Sequence, residues 1–266
     1  MKDGNLEIRL GCVLVGVIGA LALMSVFYTP YDINFMDTSV RFAPPSLQHL
    51  FGTDNMGRDV FSRAVTGARF TLLVAVSTVA GCTLVSCALG LISGYIGGFV
   101  DELIMRLVDA ISSFPGILIA LIIVTVLEHN NYTIIIALCI MFVPSFTRLI
   151  RTGTLQYKNM DFVKCNRVYG DSDLRLLLVH IFPNILPLLL SSIVVGLSNA
   201  ILAEAGMSYL GLGIQPPAPS WGRMLYEAQS ILFTAPWCAL APGVMIVVTI
   251  AGFHFLGEGI RRKYHL

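Results

Sequence analysis

The chain has 266 residues, of which 56% are hydrophobic and only 12% charged. Soluble domains carry roughly 25% charged residues, so a surface this poor in charge excludes an ordinary soluble fold. The net charge of +1 says little about partners, no nucleic-acid partner is expected, and with no stretch that reads as a soluble linker the chain is expected to form one membrane domain in a lipid bilayer. The six cysteines (Cys12, Cys82, Cys87, Cys139, Cys165 and Cys238) lack CxxC spacing, and all but Cys165 sit in apolar runs. They read as small apolar residues and not as a disulfide framework or zinc site.

A bilayer core needs about 20 apolar residues of helix. Runs of that kind occur at about Leu10–Tyr28, Phe70–Ile96, Leu103–Leu127, Tyr132–Ile150, Ile181–Ala203 and Pro236–Leu256, so the expectation is an all-α membrane protein with about six transmembrane helices. The first run is read as a retained helix, because Tyr28-Thr29-Pro30-Tyr31 makes a poor signal-peptide cleavage site. With the N-terminus inside and six crossings, twelve of the 17 Lys and Arg fall inside and five outside. That bias predicts a multi-pass protein with both termini cytoplasmic. Long connections then lie outside at about 29–69 and 204–235, and inside at about 151–180.

Few charged or histidine residues stand within the runs: Arg106, Asp109, Arg148 and His254. A gradient-driven secondary transporter or channel, the alternative class, is expected to hold such groups at mid-membrane, and the sequence shows no inverted repeat. Gly90, Gly94, Gly97, Gly98, Pro115, Pro144, Pro183, Pro187 and Pro242 are expected to serve close helix packing and kinks.

Two connections carry patterned residues. In the inside one, Asp161-Phe162-Val163-Lys164-Cys165-Asn166-Arg167-Val168 has the spacing of a short amphipathic helix. Gly170 permits a left-handed turn, and Asp171 or Ser172 is placed to cap a second helix running through Asp173 and Arg175 to Pro183. In the first outside connection, Gly52-Thr53-Asp54 and Gly57-Arg58-Asp59 combine turn formers with opposite charges, so Arg58 is expected to pair with Asp54 or Asp59. The second outside connection, Gln215–Arg223, reads as a stiff loop with Trp221 placed as an interface anchor.

The segment from Asp161 to Pro183 resembles the EAA signature of bacterial ATP-binding-cassette import permeases. Gly170 precedes His180-Ile181-Phe182-Pro183 at the signature's spacing. The resemblance extends in order through Phe51–Arg63, Gly94–Glu102, Met105–Asp109, Phe114-Pro115, Ser208–Pro217, Pro219–Gly222, Ala235–Trp237 and Pro242-Gly243. These stretches are similar to the C-type permease of dipeptide, oligopeptide and nickel importers. Cys165 and Asn166 depart from the family's usual alanines, Asp171 from a small residue, and Asp161 stands where Glu is common.

The resemblance implies a MetI-like permease core of spans two to six with a peripheral first helix. It implies a division into 1–69, the N-terminal helix and outer element, and 70–266, the permease domain. Its implied partners are a homologous B-type permease, two ATPases docking at about 151–180, and an extracytoplasmic substrate-binding protein. Residues Asp161, Lys164, Cys165, Asn166, Gly170, Asp171, Ser172, Asp173, Arg175 and Pro183 are expected to form the ATPase-coupling element, and Gly52, Thr53, Asp54, Gly57, Arg58 and Asp59 the outer element. The implied solutes are peptides, nickel or metal chelates, moved by alternating access without chemistry on the solute.

The sequence has no P-loop, HExxH or G-x-S-x-G motif. It is therefore not expected to be an enzyme, to bind ATP itself, or to hold a cofactor. His49, His129, His180, His254 and His265 are scattered, and no metal site is expected.

Overall fold

The computed structural model describes residues 2–127 and 130–264, so His129 and His265 lie outside the described residues. The fold is built from long helices: α1 (Lys2–Phe27), α2 (Val60–Ile96), α3 (Gly98–Ser112), α4 (Gly116–Val126) and α5 (Asn131–Lys158). A short α6 (Asp161–Val168) precedes α7 (Asp173–Tyr209), a continuous helix widened to π geometry over Leu176–Ile181. Helices α8 (Trp221–Ala228) and α9 (Trp237–Lys263) complete the chain. Five helices are long and apolar enough to cross a membrane, and the bent pair α3–α4 brings the number to six.

The expected third span is thus not one rod. It breaks between Ser112 and Gly116 with an 85° bend. Pro115 is the cause: it has no N–H to donate and forces Phe114 out of helical backbone. Ala110 O, which the break leaves without its helical donor, accepts from Ser113 Oγ at 2.7 Å, and Ser112 Oγ donates to Val108 O at 2.8 Å.

Span two also differs from the expectation. It begins at Val60, not near Phe70, because Asp59 caps it by accepting from the Ser62 N–H at 2.8 Å. Hydropathy alone ends the run at Arg63 and Arg69, whereas Arg63 is buried at 3% exposure by ion pairing. Span five likewise extends past Ala203 to include Glu204, which is fully buried and accepts from Ser208 Oγ at 2.6 Å. The long helices therefore contain two buried, partnered ionisable residues that the span boundaries had left out.

Helices α2 and α5 form the central pair. Gly90 and Gly94 lie one turn apart, and a Cβ on either would stand 2.8 Å from Ile150 Cβ or 2.7 Å from Thr154 Cβ. Small residues at this spacing let two helix backbones approach closely. Helix α7 packs on α2, α5 and α9, burying Ile185, Leu189 and Ile201 in the main core. Helix α1 lies chiefly along α9, and 17% of its apolar window is buried, against 33–50% for the other long helices. It is a peripheral helix.

Candidate functional site

Two patterned segments sit at opposite ends of α2. At 1.5 Å per residue that helix is about 55 Å long. The Gly52–Asp59 element lies at its start, and the Asp161–Arg175 element reaches its last turn through Tyr95.

Helix α6 ends in a Schellman motif. The Gly170 N–H bonds to Arg167 O (3.1 Å) and the Asp171 N–H to Asn166 O (3.2 Å). This closure needs a left-handed residue, which Gly170 supplies with φ +91°. The next helix opens on Ser172, whose Oγ accepts from the Arg175 N–H at 3.4 Å. Asp171 lies between His180 Nε2 at 3.0 Å and Arg175 Nε at 3.4 Å, and so ties the turn to α7. The π segment follows at once and leads into Pro183, whose missing N–H opposes a regular bond there.

Side chains in this element divide into anchors and a free tip. Val163 is buried at 1% exposure and seats α6 on the bundle. Arg167 Nη2 donates to the Tyr95 hydroxyl at 3.0 Å, and Tyr95 also bonds Asp173. Lys164 pairs only with Asp161 (3.1 Å) on the surface, Cys165 is an exposed free thiol, and Asn166 folds back to donate to Phe162 O (2.8 Å). The tip itself is apolar: Val168 and Tyr169 are each 88% exposed, and Leu174 is 67% exposed. Sequence reasoning centred on Gly170 missed these three. Their signal was present, since apolar residues beside a left-handed turn cannot all face the core.

At the other end, Gly52 (φ +70°) and Gly57 (φ +75°) turn the chain so that Thr53 bridges Asp59. Asp54 Oδ1 accepts from the Met56 and Arg58 N–H groups at 2.8 and 3.0 Å. Arg58 Nε bonds Asp54 Oδ2 at 2.7 Å, so Asp54 is the pairing partner; Asp59 takes His49 Nδ1 at 2.9 Å instead. The element does not stand alone. Glu227 on α8 receives Arg58 Nη2 and Arg63 Nη2, both at 2.8 Å, and Arg223 Nε at 3.2 Å. Thr53 O accepts from Trp237 Nε1 at 3.0 Å. Sequence reading missed Arg63 and Glu227, which lie far from the motif in the chain and meet it only through the fold. Trp221 was expected at the lipid interface. It is instead fully buried, its Nε1 donating to Ala64 O at 2.9 Å.

Among the described residues no group of His, Cys, Asp and Glu is placed to hold a metal. The fold is that of a multi-pass helical membrane permease with an exposed helix-turn-helix element at one end. Residues 86–265 match the family described as binding-protein-dependent transport system inner membrane component. The chain belongs to this family of ATP-binding-cassette import permeases, which sets aside the gradient-driven alternative. It is 36% identical over 261 residues to the dipeptide transport system permease protein DppC of Alkalihalophilus pseudofirmus, covering 98% of this chain and 86% of that one. It is 40% identical over 242 residues to the glutathione transport system permease protein GsiD of Escherichia coli O157:H7, covering 91% and 80%. The dipeptide transport system permease protein DppC of Haemophilus influenzae is 33% identical over 262 residues, covering 95% and 88%.

Proposed function

We propose that this chain is the C-type half of a peptide importer's membrane path, and that its Asp161–Pro183 element receives the stroke of a cytoplasmic ATPase. The observation that carries the coupling role is the apolar tip. Val168 and Tyr169 project at 88% exposure from a turn locked by Gly170 and bonded to the main bundle through Arg167 and Tyr95. Exposed apolar side chains on a rigid mount suit a groove in a protein partner. A force applied there is delivered to the end of α2 and not absorbed by a loose loop.

In this reading the complex pairs the chain with a homologous B-type permease, two ATPases and an extracytoplasmic binding protein. Both termini are cytoplasmic, which the twelve-to-five bias of Lys and Arg supports. ATP is hydrolysed on the separate subunits, and the permeases exchange inward- and outward-facing states. Residues 1–69 supply the peripheral helix and outer element, and 70–266 the conducting domain, with α2 reaching back to Val60. Gly52, Thr53, Asp54, Gly57, Arg58 and Asp59 serve as a clamp that holds the outer loops in register for the binding protein.

Peptides are the proposed solutes, since two of the relatives are named for dipeptides and one for glutathione. Those relatives lend nickel or metal chelates no support. The test is uptake of labelled dialanine into proteoliposomes holding the complex purified through a tag on this chain. ATP-dependent uptake with the binding protein present is expected. A complex that binds ATPases and binding protein yet accumulates no peptide would contradict the solute assignment.

A further inference from the structure

Helices α5, α7 and α9 enclose a cleft of about 500 Å³. That volume is within the roughly 300–1,000 Å³ of small-molecule sites. Its polar lining includes Ser145 on α5, Ser192 and Asn199 on α7, and His254 on α9. Asn199 and Ser192 stand about 15 and 25 Å from the Tyr209 end of α7, and His254 about 14 Å from the Lys263 end of α9, at 1.5 Å per residue. They are therefore at bilayer depth, within two of the helices that are long and apolar enough to cross a membrane.

Ser145, Asn199 and His254 are exposed on this chain, and their side chains have no hydrogen-bond partner among the described residues. An amide or imidazole facing hydrocarbon without a partner is costly, so polar groups at this depth face protein or water. The cleft also continues to Glu258 and Arg261 near the end of α9, which gives it a charged mouth. A surface meant only for helix packing has no need of such an opening.

We propose that this cleft is the chain's wall of the solute path and binds a short peptide through the peptide's backbone amides. The proposal rests on the peptide-importer reading above. Hydroxyl, amide and imidazole groups offer both donors and acceptors, so they pair with amide N–H and C=O whatever the side chains. Glu258 and Arg261, an acid and a base, line the same cleft from α9. Hydroxyl and amide groups hold a passing solute weakly enough to release it, a requirement shared with other conducting paths.

Thiol accessibility in the complete reconstituted complex tests the wall. The exposed Cys12 and Cys165 are first changed to Ser. Asn199→Cys and Ser192→Cys are then compared with Leu202→Cys, an exposed α7 position outside the cleft. A charged methanethiosulfonate reagent is expected to label the two cleft positions at least tenfold faster than Leu202→Cys. ATP is expected to change that rate at least threefold, and dialanine with the binding protein to slow it. Labelling no faster than at Leu202→Cys, or insensitive to nucleotide, would place the second permease or lipid against this face and overturn the proposal. Labelling that answers to nucleotide but not to dialanine would overturn the peptide assignment. Two cleft positions on separate turns guard against one misfolded variant. Failure of the unmodified complex to take up dialanine would overturn the functional reading instead, because the nucleotide response is read without solute.

Discussion

Tyr95, in the last turn of α2, bonds Asp173, in the first turn of α7, and also accepts from Arg167 Nη2 at 3.0 Å. One phenol thus joins the Asp161–Arg175 element to the end of α2. Lys158 Nζ lies 5.6 Å from the centroid of the same ring, which adds the end of α5 to the junction. Tyr95→Phe keeps the ring and removes the bonds. Both bonds are exposed, so water competes for them and each contributes little by itself. Hydrogen exchange in α6 is expected to quicken several-fold, and solute uptake per ATP hydrolysed to fall, with membrane abundance unchanged. Unchanged exchange and coupling would show that α6 is held by Val163 alone.

Gly170→Val places a β-branched side chain at φ +91°. The cost is about 1 kcal/mol or more. There is open space around the position, so the strain is in the backbone and not in a clash. The Schellman closure is expected to open and tilt α6 against α7. ATPase co-purification and uptake should drop at normal membrane abundance. Normal uptake would move the coupling site elsewhere.

Glu227→Ala removes the carboxylate that Arg58 and Arg63 both bond at 2.8 Å and leaves them Asp54 at 2.7 and 3.9 Å. Removing one member of a buried ion network costs about 3–5 kcal/mol. Glu227 is itself 22% exposed at the side chain, so the lower part of that range is expected. Thermal unfolding in detergent should shift down by several degrees. Arg58→Ala should cost a comparable amount, and the double variant less than the sum, since the two share one interaction.

Fusing a compartment-sensitive reporter after residues near 130 and 220 should report the outside, and near 165 the inside. An inside signal near 220 would break the proposed topology.

Much of this was legible in the residues. Gly170, Ser172 and Pro183 announce their backbone roles because each has a local physical reason: a left-handed turn, a cap and a missing donor. Arg58 and Asp54 were legible for the same reason, being four residues apart in a turn. What the sequence hid was tertiary. Arg63 looks like the edge of an apolar run, and only the fold brings Glu227 to it. Glu204 lies one residue beyond an apolar stretch and reads as loop, yet it is buried with Ser208 and Thr71, the latter at 3.4 Å. Hydropathy also cannot see the 85° bend at Ser112–Gly116, because a bent pair and a straight span have the same composition. Pro115 was the local warning.

The coupling assignment is tested most directly at the exposed tip. A photo-crosslinking amino acid at Tyr169, which is 88% exposed, reports what lies against it in intact membranes. The account predicts one dominant crosslinked product containing this chain and an ATPase subunit, lost when Val168 is changed to Asp. Crosslinking to the binding protein, or to lipid alone in a complex that still transports, would contradict it.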